Sequence, residues 1–205
     1  MVSLRPVLAA LLVGLGLAGS GQAAESDPAP PPSVHGGLVA GHFRLIAPDG
    51  ATVDTDERAG KPYVVVFGFT HCPDVCPTTL AELSLAIPKL PASAKDLAFY
   101  FVTVDPERDT PEVLGRYMQS FDPRITGLSG ARPAIEEATR GFGVVAQRTD
   151  LTDGAYVYGH TAALVLVDGD GLVVDRLPPG LGPDALAARL AALAAGTSPA
   201  AALTR

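Results

Sequence analysis

A chain of 205 residues with 47% hydrophobic residues is long enough for one ordinary domain with a packed core, and this composition is not that of a polytopic membrane protein. Its formal net charge of −7 and the absence of any basic cluster argue against a nucleic-acid partner, because phosphate binding draws on grouped Lys and Arg. The two Cys are too few for a disulfide scaffold, and their close spacing is that of a working pair.

Residues 1–24 read as an export signal: Arg5, an apolar run from Val7 to Ala18, then Gly19, Ser20, Gly21, Gln22, Ala23 and Ala24. Cleavage after Ala23 or Ala24 is expected. The apolar run is shorter than the ~20 residues of a spanning helix, which ranks an uncleaved N-terminal anchor second. Ser20 stands where a bacterial lipoprotein signal would need Cys, so no lipidation is expected. The expected location is exported and periplasmic, with tethering to the inner membrane as the alternative. Residues 25–40 contain Pro28, Pro30, Pro31 and Pro32 and read as an extended, solvated linker. The folded domain is expected over 41–196, with a tail at 197–205.

Within the domain, His42 to Ile46 alternates polar and apolar and stops at the turn signal Pro48-Asp49-Gly50, which predicts a short strand. Tyr63 to Phe69 is a continuous β-branched and aromatic run, the pattern of a central strand buried on both faces. Leu80, Leu83, Ile87 and Leu90 then recur at helical spacing, with Pro77 suited to the first turn and Pro88 to the end. Leu97 to Val104 repeats the buried-strand pattern. Thr110-Pro111-Glu112 opens a second helix carrying Leu114, Tyr117, Met118 and Phe121.

A third helix is predicted from Arg132 to about Arg140, stopped by Gly141. Ala162 to Val167 is another apolar strand, and Asp168-Gly169-Asp170-Gly171 signals a tight hairpin to Leu172–Arg176. The last helix spans about Pro183 to Ala195 with Leu186, Leu190 and Leu193 inward. Alternating strands and helices closed by a hairpin predict an α/β fold with a mixed central sheet and helices on both faces.

Cys72 and Cys76 lie between a buried strand and a helix start, a position where α/β sheets place ligands. The positive end of the helix favours thiolate, which is both nucleophile and metal ligand, so redox and metal chemistry are both open. A structural disulfide would stabilise little across so short a loop. Two sulfurs alone make an incomplete site for most metals, and a third donor must come from a remote segment. Of the four His, His35 falls in the linker and His42 at the edge of the first strand, where solvated side chains are expected. His71 adjoins Cys72, but neighbours on extended backbone point to opposite faces. His160 precedes a strand able to lie beside the central one, although a lone His in that position is more often structural.

Gly68-Phe69-Thr70-His71-Cys72-Pro73-Asp74-Val75-Cys76-Pro77-Thr78-Thr79-Leu80, the later Val104-Asp105-Pro106-Glu107-Arg108-Asp109-Thr110-Pro111, and a His before a strand closely resemble the Sco/SenC copper chaperones over about residues 40 to 195. The resemblance implies a thioredoxin-like fold and one copper ion per chain, as Cu(I) or Cu(II), held by Cys72, Cys76 and His160. It also implies the dinuclear copper site of cytochrome c oxidase subunit II as the target, together with a copper donor or thiol reductant. The donor chemistry agrees: thiolates suit Cu(I), an added imidazole suits Cu(II), and zinc usually takes a fourth ligand. Gly159 departs from the Asp that many family members carry before the metal-binding His.

The Asp105 to Pro111 segment has no soft-metal donor. It is expected to be structural, with Asp109 or Thr110 capping the helix and Arg108 pairing with a carboxylate; partner docking by Asp74, Asp105 and Arg108 is the alternative. The competing function is a thiol-disulfide reductase using Cys72 and Cys76 as its catalytic pair. Against it, thioredoxin-type oxidoreductases place two residues between their Cys rather than three, and carry cis-Pro where this chain has Thr161.

Overall fold

A computed structural model describes residues 38–39, 41–152 and 154–197. The expected signal at 1–24, nearly all of the expected linker with His35, and residues 198–205 of the tail lie outside the described residues. In chain order the elements are β1 (Leu38–Val39), β2 (Arg44–Ile46), β3 (Thr52–Asp54), β4 (Tyr63–Gly68), α1 (Val75–Ala86), β5 (Ala98–Thr103) and α2 (Pro111–Met118). They continue with β6 (Ile125–Leu128), α3 (Arg132–Gly141), β7 (Ala146–Asp150), β8 (Tyr156–His160), β9 (Leu164–Val167), β10 (Leu172–Leu177) and α4 (Pro183–Ala194).

Six strands form the central sheet in the order β1-β10-β9-β4-β5-β6. β4, β5 and β6 run parallel, while β9, β10 and β1 add as antiparallel neighbours, so the sheet is mixed as expected. All of β4 is buried because both faces are covered. Val64 and Val66 pack with Leu80 and Leu83 of α1, Leu114 of α2, and Leu186 and Leu190 of α4. Tyr63, Val65 and Phe67 face Ile135 and Ala138 of α3, Phe43 and Leu45 from the β2 region, and Tyr158 of β8. Helices therefore cover both faces, and the fold is thioredoxin-like.

The α1, α2 and α4 predictions hold, although Ile87 and Leu90 fall beyond the end of α1 and Phe121 beyond that of α2. Pro77 sits in the first turn of α1, and Pro88 falls in a short 3₁₀ turn that follows it. The β9–β10 hairpin forms, with Asp168 Oδ1 accepting from Asp170 N and Leu172 N inside its turn.

Several elements lacked a strong sequence pattern. β3 pairs with β2, and β6 is a four-residue edge strand containing Gly127. β7 and β8 pair as a ribbon in which every β7 residue is exposed, so no apolar alternation marks β7. β1 pairs with β10 inside the stretch read as linker, which requires backbone groups alone.

α3 ends at Gly141, but the left-handed residue is Gly143, with φ of 60°. Gly141 serves close packing instead: a Cβ there would lie 2.6 Å from Gly41 Cα. Backbone meets backbone at that point, so neither side can yield by changing rotamer. Gly141→Ala is expected to destabilise the domain by about 1–3 kcal/mol through overpacking, read as a lower urea midpoint with unchanged slope. An unchanged midpoint would show that the two segments separate freely.

Candidate metal centre

β4 ends at Gly68, and the chain turns through Phe69–Asp74 into α1. A Cβ on Gly68 would lie 2.6 Å from the Phe101 ring and 2.9 Å from Cys76 Sγ, so this glycine leaves room for the thiol at the strand end. Cys76 lies in the first turn of α1 and is buried, while Cys72 is half-buried and packs against the apolar clusters on both faces of the sheet. Both are free thiols. The backbone N–H of Cys76 donates to Cys72 Sγ over 3.5 Å, which realises the helix-terminus contact expected from sequence.

At Cys76 burial outweighs that terminus. It pushes the thiol up to about 12, against a lowering backbone hydrogen bond with Phe69 and with neighbouring Cys72 and Asp109 adding to the rise. Expectations of ready thiolate formation are therefore reversed at this residue: a low-dielectric pocket disfavours an isolated negative charge.

His160 arrives from the remote ribbon. Its Nε2 is 3.5 Å from Cys76 Sγ, and its Nδ1 is 3.1 Å from the Thr161 carbonyl. A carbonyl only accepts, so Nδ1 carries the proton and Nε2 presents its lone pair to the sulfur. Burial lowers the His160 pKa below its ordinary value, opposed by the Thr161 bond, which favours the neutral ring that a metal requires. The Phe69 ring stands edge-on to the imidazole at 5.8 Å.

Cys72 Sγ, Cys76 Sγ and a His160 nitrogen lie within 4.8 Å of one another, close enough to share one ion. Two thiolates and a neutral imidazole form a soft to borderline set suited to copper in either oxidation state. His71 does not join them. Its ring is exposed, with Nδ1 3.1 Å from Thr70 Oγ1 and 4.0 Å from Asp109 Oδ1. His42 is exposed, as expected, and its Nδ1 lies 3.1 Å from Asp56 and 3.7 Å from Asp54. Beside the thiol site, Phe69, Pro73, Val75, Tyr156, Val157 and Ala162 help line a mainly apolar cavity of about 440 Å³.

The Asp105 to Pro111 segment carries the expected helix cap and ion pair, with Thr110 as the cap and Arg108 paired with Asp105. Thr110 caps α2, its Oγ1 accepting from Val113 N at 3.4 Å. Asp109 instead is completely buried and accepts from Thr70 N at 2.9 Å, Thr70 Oγ1 at 2.6 Å and Thr103 Oγ1 at 2.7 Å. Asp105, equally buried, accepts from Arg108 Nε and from Tyr156 Oη, the latter at 2.9 Å. Buried Asp105 is therefore unavailable as a partner-docking residue in this structure. The sequence motif contained Thr70 without indicating its role, and Tyr156 and Tyr158 carried no expectation, although Tyr156, Tyr158 and His160 alternate at the period that puts strand residues on one face.

The SCO1/SenC family pattern matches residues 33–195. The mitochondrial SCO1 homolog 1 of Arabidopsis thaliana is 36% identical over 137 residues, covering 66% of this chain and 41% of that relative. The chain thus spans less than half of that relative's length. The structure of Bradyrhizobium japonicum ScoI with copper bound superposes with a TM-score of 0.70 at 38% identity, covering 76% of this chain and 99% of the other. The solution structure of apo Sco1 from Thermus thermophilus gives 0.70 at 39% identity, covering 78% and 94%.

The contrast between the two thiols is directly measurable. Initial alkylation by iodoacetamide at pH 8, mapped by peptide mass spectrometry, is expected to run at least about tenfold faster at Cys72 than at Cys76, since the thiolate is the nucleophile and Cys76 is both buried and held protonated. In denaturant the two rates converge. Equal rates in the folded protein would contradict the burial of Cys76.

Proposed function

The chain is a member of the SCO1/SenC family, and from that premise we propose that it binds one copper ion through Cys72, Cys76 and His160 and works as a copper chaperone. The carrying observation is the approach of His160 Nε2 to Cys76 Sγ at 3.5 Å, from a segment 84 residues away in the chain. The reductase reading draws on the two thiols alone, whereas a third metal-ligating side chain gathered beside them from a remote segment favours metal binding. Copper here is cargo. The half-buried Cys72 and the exposed Val75 and Val157 beside it keep one side of the site accessible for transfer.

The target proposed from the family resemblance is the dinuclear copper site of cytochrome c oxidase subunit II, either loaded with copper or prepared by reduction of its thiols. An exported, periplasmic location follows from the pattern of residues 1–24. Among the described residues no helix is long and apolar enough to cross a membrane.

Reduced protein is expected to take up one equivalent of copper, and protein with a Cys72–Cys76 disulfide none, because a disulfide sulfur carries no thiolate charge. In competition titrations His160→Ala weakens Cu(II) more than Cu(I), since two thiolates suffice for Cu(I) while the harder ion depends on nitrogen. His71→Ala leaves both unchanged. Loss of the Cu(II) spectrum in His71→Ala with retention in His160→Ala would overturn the assigned ligands.

N-terminal sequencing of the mature protein should begin at Ala24 or Glu25. Recovery of intact residues 1–23 on membrane-bound protein would establish the anchor instead.

A further inference from the structure

The ribbon that delivers His160 has little packing of its own. All five β7 residues are exposed, and within β8 only Tyr158 is buried. A two-stranded ribbon is marginal by itself, so the position of its last residue depends on whatever ties it to the domain. Tyr158 packs against Phe69 and accepts from Arg132 through its hydroxyl, and several further ties meet on one short stretch of chain. Tyr156 Oη donates to Asp105 Oδ1 at 2.9 Å, and Arg108 Nη1 donates to the Tyr156 carbonyl at 3.2 Å. The Arg108 guanidinium lies 3.9 Å from the centre of the Tyr156 ring, and Asp105 holds that guanidinium through Nε. Glu107 adds an outer link, accepting from Arg132 Nε at 2.8 Å and from Arg148 of β7 at 3.3 Å. The same stretch also reaches the thiols: Asp109 takes both the backbone N–H and the hydroxyl of Thr70, two residues before Cys72.

We infer that Asp105–Asp109 is the positioning element of the metal centre, with Asp105 and Arg108 locating His160 through Tyr156 and Asp109 locating the Cys72 loop through Thr70. The inference rests on the copper-site reading given above. The stretch supplies none of the three donors, yet it fixes the two remote segments that do. Its two acids are completely buried, Asp105 held by Arg108 and Tyr156 and Asp109 by Thr70 and Thr103, so the two arms reach different segments. Disturbing the Asp105 arm moves the imidazole alone. Disturbing the Asp109 arm moves a thiol.

Copper titrations and Cu(II) absorption and EPR spectra of the full chain separate the arms. Tyr156→Phe and Asp105→Asn are expected to shift the Cu(II) spectrum toward that of His160→Ala and weaken Cu(II) by about tenfold or more, the usual scale for residues that orient a ligand, with Cu(I) affinity nearly unchanged. Thr70→Val is expected to weaken both oxidation states alike. Arg108→Lys should behave as Tyr156→Phe does, because an ammonium cannot both stack on the ring and bridge the two acceptors. Should Asp105→Asn fail to fold, Tyr156→Phe decides, since it removes one oxygen from a partly exposed side chain. Tyr156→Phe and Arg108→Lys proteins with lowered melting temperature but wild-type Cu(II) spectra and affinities would reduce the element to general structure and overturn the inference. A wild-type spectrum from His160→Ala would overturn the copper-site reading and this inference with it. A changed His160→Ala spectrum beside unchanged ones from Tyr156→Phe and Asp105→Asn would overturn the inference alone.

Discussion

The completely buried carboxylate of Asp109 is the constraint on which the site depends. A carboxylate taken out of water costs several kcal/mol unless its oxygens are satisfied, and here three donors from two strand ends satisfy them. Thr70 follows β4 and Thr103 closes β5, so one side chain ties the ends of two parallel strands together just where the Cys loop departs. Ser129 adds to the same knot by donating to the Asp109 carbonyl at 2.7 Å, which brings the end of β6 into it. The polar cluster thereby closes the carboxyl edge of the parallel half of the sheet. That edge is where an open α/β sheet leaves room for a ligand.

Around this knot the thiols experience two opposing influences. The first turn of α1 offers the Cys76 N–H to Cys72, whereas the apolar cluster beneath α1 engulfs Cys76 and holds it protonated. A group disfavoured as an isolated anion becomes favoured as an anion when a cation shares the pocket, because the pair is less costly to bury than the charge alone. Burial of Cys76 and of His160 thus serves the same end. In the proposed site both are neutral and face each other, and copper uptake there is expected to release protons because the ion would replace the thiol proton. The bond from His160 Nδ1 to the Thr161 carbonyl keeps the ring in the tautomer this exchange needs. A Cβ at Gly159 would meet nothing within 4 Å, and in this chain the neighbour before His160 adds no carboxylate to the ring's surroundings.

Fold and site were not equally legible in the sequence. The central strands announced themselves as unbroken β-branched and aromatic runs because both faces are covered, and the helices carried their leucines at helical spacing. The β7–β8 ribbon was silent, since a strand exposed along its whole length has no apolar alternation to display. That silence mattered, because this ribbon carries His160. The sequence offered four His, and residue spacing alone left the choice among them open; the family resemblance pointed to His160. The motif around Asp105 and Asp109 was visible as a string of letters, and the expected cap by Thr110 and carboxylate pairing of Arg108 both form; what no local pattern displayed was that Asp109 is buried and tied to Thr70.

By itself, the sequence determined what is local: a mixed sheet layered with helices, two thiols at a strand-to-helix turn, and an acidic chain with no basic cluster. Those properties depend on residue type and on spacings of a few positions. Tertiary structure alone decided which nitrogen meets the sulfurs, which thiol is buried, and which acid holds which loop. Antiparallel pairing of β9 with β4 brings a residue 84 positions away within 3.5 Å of Cys76, and no periodicity along the chain encodes a contact of that length. Burial likewise belongs to the assembled layers rather than to the residue. Cys72 and Cys76 are the same chemical group four positions apart, and they differ because only one of them turns into the core beneath α1.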